Sequence, residues 1–119
     1  MPFYGILKEL VDSTTGGVAA TLMGTDGLAV QSYPTENYPC DIESIGVECG
    51  GAVEELKKAS EALKLGSVEE VVVATSTSSL VLRLVVPEYY IAFVIDPGAG
   101  AGQARYRARI AARKVKSEL

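Results

Sequence analysis

Histidine is absent from all 119 residues. Its absence removes the commonest general base, the commonest metal ligand and every Ser-His-Asp or Cys-His nucleophile system. Cysteine is scarce as well: Cys40 and Cys49 are too few to staple a disulfide scaffold. A zinc site would need both thiols plus carboxylates, an unfavourable donor set. Cys49 falls on the apolar stripe of a helical pattern, which reads as a small buried thiol rather than half of a bridge. No Gly-Lys-Ser/Thr string occurs, so there is no P-loop. The expectation is a protein without metal, cofactor or enzyme chemistry.

Long apolar runs are missing too. The most apolar stretch, Leu80 to Ile95, is interrupted by Arg83, Pro87 and Glu88, which rules it out as a membrane span. The opening Met1-Pro2-Phe3-Tyr4-Gly5 has no basic n-region, and Lys8 and Glu9 break the apolar residues that follow, so it does not read as a signal peptide. The expected compartment is the cytoplasm. With hydrophobic residues at 48%, the chain can build the core of a single domain spanning 1–119 without staples.

The net charge of −4 is unevenly spread. Residues 105–119 carry Arg105, Arg107, Arg109, Arg113, Lys114 and Lys116 against Glu118, a net +5; the other five basic and fourteen acidic residues leave the body at −9. An acidic body with a basic tail suits docking onto acidic partners or onto itself. Nucleic-acid binding would call for a basic body with interleaved aromatics, and only Tyr106 lies in the basic segment. As a solvated helix end, the tail's cations simply complement the helix C-terminus; as a docking element, they meet an acidic surface or anionic lipid. Both readings are open, and solvation is the simpler.

Along the chain, Phe3, Ile6, Leu7, Leu10 and Val11 recur at helical spacing until Gly16-Gly17. Val18–Met23 and Leu28–Tyr33 read as strands joined by Gly24-Thr25-Asp26-Gly27, a hairpin whose Asp-Gly pair tolerates positive φ. Pro34 to Pro39 reads as a connection. Asp41 is a natural N-cap for a long helix over 41–65, with an apolar stripe of Ile42, Ile45, Cys49, Ala52, Val53, Leu56, Ala59 and Leu63, and Gly66 just beyond its end. Gly46, Gly50 and Gly51 lie inside this helix, where each costs about 1 kcal/mol against alanine. Either the first half of the helix is weak, or Gly46 and Gly50, one turn apart, let another helix approach closely. Their spacing favours the second reading.

Glu70–Thr75, Leu80–Val86 and Tyr89–Ile95 form an antiparallel meander with short connections. Leu80–Val86 is apolar on both faces apart from Arg83, which predicts helices above and below the sheet. Ala104–Leu119 reads as a last helix whose apolar positions, Tyr106, Ile110 and Val115, are sparse, docked only along its first half with its Arg/Lys end exposed. Before it, Gly98-Ala99-Gly100-Ala101-Gly102-Gln103 imitates a dinucleotide fingerprint but ends in Gln, with no parallel strand to follow, and reads as a loop. Glu54-Glu55 and Glu69-Glu70 read as solvated carboxylates rather than an acid–base pair. The order is α-β-β-α-β-β-β-α, an α+β domain with a five-stranded antiparallel sheet between helices.

That order, with the strings Ile6-Leu7-Lys8-Glu9-Leu10-Val11, Leu22-Met23-Gly24-Thr25-Asp26-Gly27-Leu28-Ala29-Val30, Glu69-Glu70-Val71 and Gly102-Gln103-Ala104-Arg105-Tyr106, resembles the roadblock family and its bacterial MglB-like branch, of roadblock/profilin-like fold. The resemblance spans essentially the whole chain. It implies a homodimer in which the third strands pair edge to edge and the long second helices lie side by side, with Gly46, Gly50, Val53, Val71, Val72 and Val73 at the interface. An apolar Val71-Val72-Val73 edge left free would be an aggregation hazard. The resemblance also implies a Ras-like small GTPase as partner, whose GTP hydrolysis such proteins stimulate. Outside the tail the only arginine is Arg83, so the expected mechanism is repositioning of the GTPase's own switch loops rather than a trans arginine finger. Glu48, Glu54, Glu55, Lys57 and Lys58 are the expected docking surface, with Arg105, Arg109, Arg113 and Lys116 of the tail as a second contact. The rival expectation is a non-catalytic homodimeric adaptor in a signalling or motor complex.

Overall fold

The computed structural model describes residues 2–36 and 39–119; Met1 lies outside them, as do Asn37 and Tyr38 of the expected Pro34–Pro39 connection. The elements follow the expected order: α1 (Pro2–Ser13), β1 (Gly17–Gly24), β2 (Ala29–Tyr33), α2 (Ile42–Ala62), β3 (Glu70–Ala74), β4 (Ser79–Val86), β5 (Tyr89–Ile95) and α3 (Ala101–Glu118). The strands form one sheet in the order β2-β1-β5-β4-β3, and every neighbouring pair is antiparallel. The first hairpin turns where the sequence asks for it: Gly27 takes φ +87°, and Asp26 Oδ1 accepts the Leu28 N–H at 3.1 Å.

Strand alternation divides the core into two layers. Ala20, Leu22, Val81, Ile91, Phe93 and Ile95 face α1 and α3, where Leu7, Leu10 and Val11 meet a stripe of Ala104, Ala108, Ala111, Ala112 and Val115. On the opposite face Met23, Leu82, Tyr90 and Ala92 pack with Val53 of α2, and Ala19 and Val94 pack with Ile42. The last helix therefore docks through small residues as far as Val115, not only along its first half, and it begins at Ala101 rather than Ala104. Alanines let it lie close to the sheet. Tyr106, expected to dock, is 58% exposed.

The Asp41 cap forms as expected. Its Oδ1 accepts the Ser44 N–H at 3.2 Å and its Oδ2 accepts the Ser44 hydroxyl at 2.7 Å. The helix then seats on the sheet through its glycines. A Cβ on Gly46 would stand 2.9 Å from Met23 Cε and 3.0 Å from Thr21 Cγ2, and one on Gly50 would collide with the Tyr90 hydroxyl. That hydroxyl donates to the Gly46 carbonyl. Burial, and then the nearby Cys49 and Glu54, push the Tyr90 phenol up to about 12. Gly46, Gly50 and the fully buried Val53 thus face the chain's own sheet, which corrects their expected place against a second helix. Burying the glycine face rolls the apolar stripe outward: Ala52, Leu56, Ala59 and Leu63 are exposed, Leu56 by 43% and Leu63 by 68%.

Helices do lie above and below the sheet, yet β4 is only partly covered. Val81 and Leu82 are buried, while the rest of the strand is half-exposed, because α2 crosses β1, β5 and β2 and leaves β4 and β3 open on its side. Arg83, on β4, lies one strand in from the β3 edge of the sheet. The long helix ends at Ala62, earlier than expected, and Lys64 takes the left-handed conformation (φ 57°) before Gly66 does.

The two kinds of helical glycine give a direct test. Gly51 has open space around its missing Cβ, so Gly51→Ala should stabilise the fold by up to about 1 kcal/mol. Gly50→Ala should destabilise it, because overpacking costs about 1–3 kcal/mol and outweighs the helix gain. Urea denaturation of both variants decides it; equal stabilisation by both would contradict the seating of α2.

Candidate functional site

The described surface includes an apolar sheet edge at β3. Leu84 N–H donates to the Glu69 carbonyl and Thr75 N–H to the Ser78 carbonyl, so these residues bond inward across the β3–β4 ladder. Antiparallel alternation then turns the N–H and C=O groups of Glu70, Val72 and Ala74 outward, where no strand pairs with them among the described residues. The register of Val71 opposite Leu82 and Val73 opposite Leu80 puts both valines on the α2 face, with Val72 on the α3 face. Val72 is 42% exposed and Val73 37%. Long apolar edges of this kind are normally blunted or covered. Here the apolar edge and the part of the sheet that α2 leaves open stand together.

Two charged arrangements stand out on the helices, one on α2 and one where α3 meets β3. On α2, successive residues turn by about 100°, which carries Glu48, Glu55 and Lys58 to the side away from the buried face; all three are exposed. Lys58 pairs with Glu55 at 3.4 Å. Glu54 and Lys57 are more withdrawn: they pair at 3.1 Å, and Lys57 Nζ also donates to the Pro87 carbonyl at 2.7 Å. Five residues expected to act as one docking surface thus divide into three outward and two tied to the rim.

At the start of β3, Arg105 Nε and Nη2 both donate to Glu70 Oε2, at 3.0 and 2.9 Å. This pair fastens the edge strand to α3. The Arg105 hydrogen bond holds the Glu70 carboxyl below its usual range against the opposing effect of burial, with Arg83 and Arg109 adding to the lowering. Arg105 is therefore engaged within the chain. The other three tail residues expected to act together, Arg109, Arg113 and Lys116, do converge, on a cleft of ≈ 820 Å³ that Lys57, Lys64 and Arg83 also line. Sequence reasoning missed Lys64 and Arg83 as members of this group. The available signal was Arg83 itself, the one charge inside an otherwise apolar strand.

Other candidate chemistry is not assembled. Among the described residues, no group of three or more Cys, Asp or Glu could hold a metal ion, and Cys40 and Cys49 are free thiols. Burial pushes both thiols up, with Asp41 and Glu48 adding to it, which disfavours the reactive thiolate. In the glycine-rich lead-in to α3, Gln103 uses its side-chain oxygen to accept the Thr15 N–H at 3.0 Å, a structural tie to the end of α1. No helix of the described residues is long and apolar enough to cross a membrane.

No family model matches the sequence, and no curated protein matches it. Solved structures do. MglC from Myxococcus xanthus is 33% identical, with 100% of each chain covered and a TM-score of 0.69. The Roadblock/LC7 domain from Streptomyces avermitilis has a TM-score of 0.86 at 19% identity, covering 97% of this chain and 95% of that one. MglB from Myxococcus xanthus also reaches 0.86, at 14% identity, covering 98% and 93%.

The Glu70–Arg105 contact yields a pH prediction. A depressed folded-state value means the pair's contribution is present above the carboxyl's ordinary value and fades as pH falls through the depressed one. Arg105→Ala should move the Glu70 titration, followed by carboxyl-carbon NMR, back up toward the ordinary range. Its stability deficit should be present at neutral pH and close in acid. A Glu70 titration that does not move would contradict the assignment.

Proposed function

Because the chain belongs to the roadblock family, we propose that it is a homodimeric regulator of a Ras-like small GTPase, binding the GTPase and stimulating its hydrolysis of GTP. The observation that carries the reading is the open β3 edge beside the uncovered flank of α2. Pairing two β3 strands across a two-fold axis satisfies the outward groups of Glu70, Val72 and Ala74 and extends the sheet through both subunits. The same operation brings Val71 and Val73 against their symmetry mates and sets the two α2 helices side by side. In this assembly Ala52, Leu56, Ala59 and Leu63 take the interfacial role on α2, in place of Gly46, Gly50 and Val53.

The GTPase then docks on the outward side of α2, through Glu48, Glu55 and Lys58 with Glu54 and Lys57 at the rim. Charges arranged this way set orientation and association rate more than total affinity. Activation proceeds without an arginine donated in trans. Arg83 and Arg107 are half-buried with their Nε atoms enclosed, Arg105 is held by Glu70, and the exposed Arg109 and Arg113 lie on α3, on the opposite face of the sheet from the proposed docking helix. An arginine finger must project into the γ-phosphate site of its partner. The mechanism that fits is selection of a GTPase conformation whose own switch loops are placed for hydrolysis.

Two measurements test this reading. Light scattering should give a dimer for the native chain and a monomer for Leu56→Asp combined with Val73→Lys, since both side chains are exposed in one chain and covered in two. A dimer that persists in the double variant removes the proposed interface. Hydrolysis by a co-encoded Ras-like GTPase should rise saturably with added protein, and Glu54→Lys with Glu55→Lys should weaken that association by about tenfold or more. Unchanged binding rules out α2 as the docking surface; binding without acceleration makes the protein an adaptor.

A further inference from the structure

The cleft beside the β3 edge gathers positive charge from four separate segments. Lys57 comes from α2, Lys64 from the connection after it, Arg83 from β4, and Arg109, Arg113 and Lys116 from α3. Only Glu61 and Glu69 oppose these six cations among the lining residues, which leaves the cleft at net +4. The convergence occurs in a chain whose overall charge is −4, so it does not follow from composition. Lys57 is the one of the six in an ion pair among the described residues. Arg83 Nε is enclosed with no hydrogen-bond partner, although buried donors are nearly always satisfied. The cleft therefore has donors in excess and too few acceptors.

We propose that this cleft binds a compact, soluble polyanion bearing two or three linked phosphates. The volume of ≈ 820 Å³ falls within the ordinary range for small-ligand pockets. A triphosphate carries roughly −4 at neutral pH, close to the +4 of the lining, of which the Lys57 charge is shared with Glu54. Three of the cations are guanidinium groups, whose planar forks engage phosphate oxygens in pairs. Leu84, Val85 and Ala112 supply apolar wall around them, where charge-assisted hydrogen bonds are weakened less by water. The cations border one cleft from four separate segments rather than follow one another along a single helix face or strand, which favours a compact anion over an extended acidic peptide. The bound phosphates would bridge β4, α3 and the connection leading into β3, and so sit against the edge strand on which dimerisation is proposed to depend.

Isothermal titration with sodium tripolyphosphate at fixed ionic strength should give saturable 1:1 binding per chain. Arg109→Gln and Arg113→Gln, both at exposed positions of α3, should each weaken it by about tenfold. Lys64→Gln, on the opposite wall, should weaken it also, whereas Lys8→Gln, far from the cleft, should leave it unchanged. These variants avoid the half-buried Arg83, so the test does not depend on a substitution that could unfold the sheet. ATP and GTP in parallel titrations distinguish sources: affinity equal to tripolyphosphate means recognition of the phosphates alone, and tighter binding means that the apolar wall also takes the base. Absence of saturable binding, binding unchanged in the Arg109 and Arg113 variants, or tighter binding by a glutamate-rich peptide of equal charge would each overturn the proposal.

Discussion

The seating of α2 on Tyr90 is the contact on which the rest of the surface depends. Two glycines one turn apart bring the helix backbone down to the sheet, and the Tyr90 hydroxyl closes the contact by donating to the Gly46 carbonyl. A larger residue at either glycine would lift or rotate the helix. Because the helix sits this low and in this rotation, its glycine face is spent inside the monomer. Its apolar residues Ala52, Leu56, Ala59 and Leu63 are consequently available on the outside. The exposed flank and the tight internal contact are two consequences of one helix rotation.

The rotation explains what could and could not be read from the sequence. The strands, the Asp-Gly hairpin, the Asp41 cap and the order of elements were legible because each is local: alternation, turn chemistry and side-chain capping act within a few residues. The facing of α2 was not. Periodicity analysis seeks the side chains that are buried, whereas here the decisive inward positions, Gly46 and Gly50, have none. An apolar stripe marks a face that avoids water, without distinguishing a core from a partner. The same limit applies to α3, where alanines carry the docking and the larger Tyr106 points outward. Convergence of Lys64 and Arg83 with the tail was beyond local reading, because it joins segments far apart in the chain.

The surface resolves into separate regions with different physical characters. The β3 edge and the α2 flank are apolar, and the edge carries backbone groups that no strand pairs among the described residues, which suits a second copy of the chain. The outward side of α2 carries exposed charges of both signs, which suits an oriented and reversible partner. The corner cleft concentrates positive charge. Glu70 joins two of these regions: its backbone lies on the open edge, while its carboxylate holds Arg105 of α3. The open edge and the placement of α3 are thereby physically linked, and a change at the basic corner has a short route to the β3 edge.

The most direct test of this account is hydrogen exchange at the amides of Val72 and Ala74 as a function of protein concentration. Both point away from β4 in a single chain, so only a second strand can protect them. The account predicts slow exchange at high concentration that becomes fast on dilution, with the inward amides of Val71 and Val73 less affected. Fast exchange at Val72 and Ala74 at every concentration would show that the edge stays open, and would contradict the proposed assembly.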